Sequence, residues 1–101
     1  MVPSEPPPLR IIVLSYNKIQ ELPEGLFDNN LNLEYILLLG NKIKFIATGI
    51  FDKLTKMFFV DFKRNICINK YYGGAYEMTQ LKQDIEVNCK NPNPITTIKE
   101  W

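Results

Sequence analysis

Three short stretches of this chain carry apolar residues at every second position, and they recur at a constant interval. Leu9, Ile12 and Leu14 return as Leu33, Ile36 and Leu38 and again as Met57, Val60 and Phe62, 24 residues further on each time. Period-two alternation predicts strands with one buried face, over residues 11–15, 35–39 and 59–63. An asparagine follows each strand at the same offset: Asn17, Asn41 and Asn65. Beyond it Ile19, Leu22, Gly25 and Phe27 match Ile43, Ile46, Gly49 and Phe51. Repetition at such a period predicts parallel strands, each touching only its neighbours. A helical stripe through Phe51, Leu54, Met57 and Phe58 competes. The repeat overrides it at Met57 and leaves room for a short helical turn at 51–54.

The register splits the run ILLLGN at 36–41. Ile36 and Leu38 are expected to point inward, Leu37 and Leu39 outward, with Gly40 at the strand exit. Each asparagine stands where the chain turns inward. A buried amide there can pair with backbone groups that the turn leaves open, because an unsatisfied one costs roughly 1–3 kcal/mol. Asn17, Asn41 and Asn65 are therefore expected to form a structural ladder. Phe27 and Phe51 are expected to stack as core on the other side of the units.

Residues 9–68 in this register resemble typical extracellular leucine-rich repeats, whose pattern is LxxLxLxxNxLxxLPxGxFxxLxx. The units are LRIIVLSYNKIQELPEGLFDNNLN (9–32), LEYILLLGNKIKFIATGIFDKLTK (33–56) and the partial MFFVDFKRNICI (57–68). The chain departs from the pattern at Asn30, where the second unit has Leu54 and where Leu31 is expected to compensate through a shifted turn. It departs again at Ala47, which faces Pro23 of the first unit. After Ile68 the pattern breaks, with Lys70 at a normally buried site and Ala75 at the phenylalanine site. The resemblance implies an α/β-type solenoid, a short leucine-rich-repeat coil of three parallel strands with a C-terminal helical cap. Two full units and a partial one meet only the lower limit for such an array.

An array needs its end covered. Gly73 and Gly74 break the chain, and from Ala75 to Glu86 the residues Met78, Leu81 and Ile85, with Tyr76, form an apolar helical face. That helix is placed to lie over the last repeat. The two cysteines, Cys67 and Cys89, come with no histidine and no CxxC spacing, which leaves a disulfide or two free thiols. The stretch NICINKYY followed by Cys89 resembles the two-cysteine C-terminal flank of some secreted insect repeat proteins. It differs from the common four-cysteine flank, which often opens with Asn-Pro where this chain has Asn65-Ile66. This resemblance implies a Cys67–Cys89 bridge that ties the helix to the last repeat, worth about 3 kcal/mol. Such a bridge would belong to an oxidising compartment, outside the cell or on a cell-surface ectodomain. The expected organisation is a Pro-rich lead (1–8), repeats (9–68), a cap (69–90) and a tail (91–101).

A net charge of +1 makes no general case for nucleic acid or an anionic membrane. No apolar run approaches the length of a bilayer span. The opening MVPSEPPPLR lacks the basic and apolar regions of a signal peptide. Without histidine, and with Glu34, Asp52 and Asp61 expected on different sides of the coil, no catalytic constellation, metal site or cofactor is predicted. The family resemblance implies protein recognition through a concave sheet face. Carried over position by position, it names Ile11, Val13 and Tyr16, then Tyr35, Leu37 and Leu39, then Phe59, Asp61, Lys63 and Arg64. Their apolar members would make one patch, suited to a protein partner or to self-association, with Asp61, Lys63 and Arg64 as a polar rim. The expectation is a protein-binding module of extracellular recognition or innate immunity. The alternative is a capping or self-associating segment of a longer leucine-rich-repeat receptor.

Overall fold

A constant spacing between strands decides which residues become neighbours. The computed structural model describes residues 7–92; most of the Pro-rich lead and most of the tail, with Trp101, lie outside the described residues. In chain order the elements are β1 (Ile11–Val13), β2 (Glu21–Leu22), β3 (Tyr35–Leu37), β4 (Phe45–Ile46), β5 (Phe59–Asp61), β6 (Tyr71–Gly73) and α1 (Gly74–Asn88). Strands β1, β3 and β5 pair in parallel, with Ile11 beside Tyr35 beside Phe59 and Ile12 beside Ile36 beside Val60. Strands β2 and β4 form a second, two-stranded parallel sheet. The connections repeat as well. Tight turns join Pro23 to Leu26, Gly25 to Asp28 and Phe27 to Asn30, and the same turns recur 24 residues later from Ala47, Gly49 and Phe51. The turn at Asn30 is thus not shifted, and Leu31 stays exposed rather than replacing the missing leucine.

The core lies between the two sheets and the helix. Ile36, Leu38, Ile43, Val60 and Phe62 are fully buried, with Leu22, Phe27, Phe51, Leu81 and Ile85 close behind. The rings of Phe27 and Phe51 stack with centroids 6.0 Å apart, and Phe51 reaches Phe62 at 6.3 Å.

The expected solenoid of three parallel strands is not what forms. The chain closes into a compact domain with a four-stranded mixed sheet, in the order β1-β3-β5-β6, a second small sheet and one helix among the described residues. The ladder changes direction at its last member: β6 runs antiparallel to β5, with Val60 opposite Tyr72. Two full units are too few to curl, and the reversed strand ends the parallel series. Strands are also shorter than expected, three residues each rather than five. The left-handed turns at Tyr16, Gly40 and Arg64 stand three residues beyond each strand (φ 59°, 75° and 63°) and bring the following asparagine inward.

Candidate functional site

The two ends of the parallel ladder are built differently, and the C-terminal end is sealed. Tyr71 and Tyr72 carry the chain back along β5. The Phe62 amide donates to the Lys70 carbonyl (3.0 Å), and the Gly74 amide donates to the Phe58 carbonyl (2.9 Å). Lys70 stays exposed, while Tyr72 lies opposite Val60 and faces inward. Its ring is buried, and its hydroxyl donates to Asp84 on α1 (2.7 Å). Burial, then this hydrogen bond, holds the Tyr72 phenol well above its ordinary pKa. Helix α1 starts directly from β6, and the Gly73 amide is capped by Glu77 Oε1 (2.8 Å). Leu81 and Ile85, four residues apart, face the core, and Met78 packs at its margin. Tyr76, expected on that face, is instead 78% exposed. Cys89 ends the helix, is fully buried and is disulfide-bonded to Cys67, with Cα atoms 5.2 Å apart. Its carbonyl accepts from the Ile46 amide on β4 (2.8 Å), so the cap is tied to both sheets.

Two of the asparagines, Asn41 and Asn65, reach backward along the chain toward the preceding unit. Asn41 is buried. Its Nδ2 donates to the carbonyls of Leu14 and Leu38, both at 3.0 Å, and its Oδ1 accepts from the amides of Asn17 and Ile19, both at 3.1 Å. Asn65 Nδ2 likewise donates to Leu38 (2.9 Å) and Phe62 (3.0 Å), and its Oδ1 accepts from Ile43 (3.1 Å). Asn17 keeps the local half of this pattern. Its Nδ2 donates to Leu14 (2.9 Å) and more weakly to Ser15 (3.3 Å).

The N-terminal end is open. Strand β1 is an edge. Leu14 and Tyr16 send their amides to Leu37 and Leu39 (2.8 and 2.7 Å). Ile11 and Val13, alternating with them, direct their backbone groups to the free side. Ile12, Leu14 and Ile19 are only partly buried and Leu9 is exposed, although their counterparts Ile36, Leu38, Ile43 and Leu33 are fully buried. Arg10 forks onto Glu34 (3.1 and 3.2 Å), and that hydrogen-bonded carboxylate raises the Arg10 pKa further.

The outward residues of the three strands form a row, but not a concave wall. Tyr35 meets Phe59 at 6.1 Å and Phe58 at 6.0 Å, and Phe59 meets Tyr71 of β6 at 5.6 Å. Lys63 Nζ lies over the Tyr71 ring at 5.3 Å. Asp61 Oδ1 accepts the Lys63 amide (3.0 Å), and the Arg64 amide donates to Asn69 (2.7 Å), so the expected rim is engaged in local turns. Leu37 and Leu39 are half-buried, and Tyr16 lies against Gly40. Ile11, Val13 and Tyr16 are exposed, at the open edge. A small disulfide-linked domain with three-residue strands, the last reversed, offers no curved concave face. The expected protein-binding role through such a face is therefore corrected: the aromatic row packs on itself across the sheet and onto the cap.

Sequence reasoning missed β6, the Tyr72–Asp84 bond and the Ile46–Cys89 link. The doublet Tyr71-Tyr72 between a polar run and two glycines is the one local signal for the reversed strand. Among the described residues no three His, Cys, Asp or Glu side chains gather as a metal site, and no helix is long and apolar enough to cross a membrane.

No curated protein matches the chain. The family model described as leucine rich repeat matches residues 7–66, more than half of the sequence. With its 24-residue register and asparagine ladder, the chain belongs to the leucine-rich-repeat family.

Proposed function

We propose that this chain is a closing segment of a longer leucine-rich-repeat protein, in which residues 9–68 continue the repeats and 69–90 end them. The observation that carries this reading is the asymmetry of the ladder. The C-terminal side is finished by a reversed strand, a docked helix and a disulfide. The N-terminal side leaves the outer edge of β1 without a neighbouring strand among the described residues, and Leu9, Ile12, Leu14 and Ile19 incompletely covered by them. The role is structural and non-catalytic: to shield the apolar end of an array while accepting one further unit. The Cys67–Cys89 bridge supports an oxidising setting, such as a secreted chain or an ectodomain. The two-cysteine flank supports kinship with extracellular repeats of the secreted insect type.

The test supplies the missing unit. A copy of residues 33–56 is inserted between Pro8 and Leu9, in register with the repeat. Covering the half-exposed residues should raise the melting temperature by about 5 °C or more, since each kcal/mol moves a domain of this size by roughly 4–8 °C. The amides of Ile11 and Val13 should also become protected from hydrogen exchange. An unchanged or lowered melting temperature overturns the reading.

A further inference from the structure

We propose that the edge of the molecule built from residues 14–20, 38–44 and 62–68 binds a sulfated polysaccharide, with one sulfated sugar seated in the notch over Gly40 between Tyr16 and Arg64. From the closing-segment reading the proposal takes only the oxidising setting that the Cys67–Cys89 bridge supports, which favours a polyanion met outside the cytosol.

The near-neutral total charge conceals a segregation. Each of these segments directly follows its strand. Together they hold Lys18, Lys42, Lys44, Lys63 and Arg64 and none of the chain's 11 Asp and Glu. All five cations are exposed. None forms an ion pair with a described residue, whereas Arg10, Lys53, Lys82 and Lys90, elsewhere on the surface, pair with Glu34, Asp28, Asp52 and Glu86. The repeat stacks the segments. The Lys42 amide donates to the Ile19 carbonyl, the Lys44 amide to Gln20 and the Gly40 amide to Lys63, each at 2.9 Å. Lys18 and Lys42 thereby stand side by side, and like charges so placed repel until an anion lies between them. Asp61 and Glu21 bound the face, and Asp61 Oδ1 is already engaged by the Lys63 amide (3.0 Å).

The middle of the face is a notch. Tyr16, Gly40 and Arg64 are the left-handed residues of successive units, and the middle one has no side chain. The groove there has a volume of about 450 Å³ and is lined by Tyr16, Leu39, Lys63, Arg64 and Asn69, within the range of small-ligand sites. The Tyr16 ring lies against Gly40 and stays exposed, a platform for the apolar face of a sugar ring. Arg64 supplies a planar fork for an oxyanion. Asn69 gives its Oδ1 to the Arg64 amide (2.7 Å), which leaves its Nδ2 as a donor for a sugar hydroxyl.

The shape selects the occupant. Three units span only about 10 Å from first to third backbone, a strip one linear chain wide. A bilayer surface asks for a broader face. Single-stranded nucleic acid asks for a row of stacking rings, where these segments expose one, Tyr16.

Titration calorimetry on the 101-residue chain tests the proposal with four probes: a heparin octasaccharide, the same oligosaccharide desulfated, an oligodeoxythymidine of equal charge, and vesicles of equal parts phosphatidylcholine and phosphatidylserine. The heparin octasaccharide should bind most tightly, and its affinity should fall as salt is raised. Arg64→Gly, Lys42→Ala and Tyr16→Ala should each weaken it by about fivefold, the upper end of what an exposed contact contributes. Lys53→Ala and Lys82→Ala should leave it unchanged, and thermal melts verify that every variant folds. Absence of heparin binding, equal affinity for the desulfated sugar, or tighter binding of the DNA or the vesicles overturns the proposal. So does an unchanged affinity in Tyr16→Ala, or an equal loss in Lys53→Ala and Lys42→Ala. None of these results bears on the melting temperature of the chain with the inserted unit, so the closing-segment reading stands or falls separately.

Discussion

Leu14 and Leu38 are the same residue in successive units, and their surroundings differ because each unit borrows its cover from the next. Leu38 has β5 beyond it and is fully buried, while Leu14 has nothing described on its far side and is half-covered. The same holds for Asn17 against Asn41, and for β1 against β5. At β5 the next neighbour is a reversed strand of this chain, followed by a helix and a covalent link. At β1 it is absent among the described residues. Matching local sequence patterns are thus buried unequally, according to what lies one unit away.

The comparison is sharpened most by matched truncations. Leu38→Ala should cost about 3–4 kcal/mol, while Leu14→Ala should cost about half of that or less, because a partly open site leaves a smaller cavity. Denaturant titration of the two variants decides it, and equal costs would break the distinction between the edges. Replacing both Cys67 and Cys89 with serine should cost about 3 kcal/mol. Hydrogen exchange should locate the loss in α1 and at the Ile46 amide, leaving β1 as it was.

A smaller effect concerns the Tyr72–Asp84 bond. Tyr72→Phe should cost about 1 kcal/mol near neutral pH. The phenol's pKa is raised in the fold, so its contribution is fully present below the unfolded value of about 10 and is lost as pH rises beyond it. The gap between native and variant stability should therefore narrow in alkaline solution, as measured by denaturant titration at successive pH values. The smallest change should be a gain. Arg64 is exposed and held at φ 63°, and Arg64→Gly should stabilise by about 0.5 kcal/mol, the relief of left-handed strain less glycine's added unfolded-state entropy. The same substitution at an ordinary position would destabilise, so a thermal melt distinguishes the two cases.

Much of the register was legible because the repeat is a statement about position. Three asparagines and three apolar triplets at one spacing imply which backbones can touch. The reversed strand was not legible in that way, since Tyr71 and Tyr72 acquire their partners from residues ten or more positions earlier and match no unit. The β2–β4 pair was hidden by its brevity: two residues each, around Leu22 and Ile46, are too few to show alternation. The cap helix was visible through Leu81 and Ile85, while Tyr76 is exposed because it stands about two and a half helical turns before Ile85, on the opposite side of the helix. The left-handed residues were disguised as Tyr16 and Arg64; Gly40 alone hinted at them, and the Tyr16 ring occupies the space that a Gly40 Cβ would need (2.6 Å). The concave face failed for another reason. Curvature is a property of many units, and no single unit encodes it.

The reversal of β6 has a consequence in the language of polymers. A unit with two compatible edges is a monomer that can propagate, and head-to-tail contacts of that kind lead to open filaments unless the rotation closes. Here the far edge runs in the opposite direction, with Leu81, Ile85 and Cys89 occupying the core beneath it. A second molecule offering its β1 finds no matching parallel register there. On the closing-segment reading proposed above, the domain would join a stack through β1 and end it at β6, a chain terminator rather than a link.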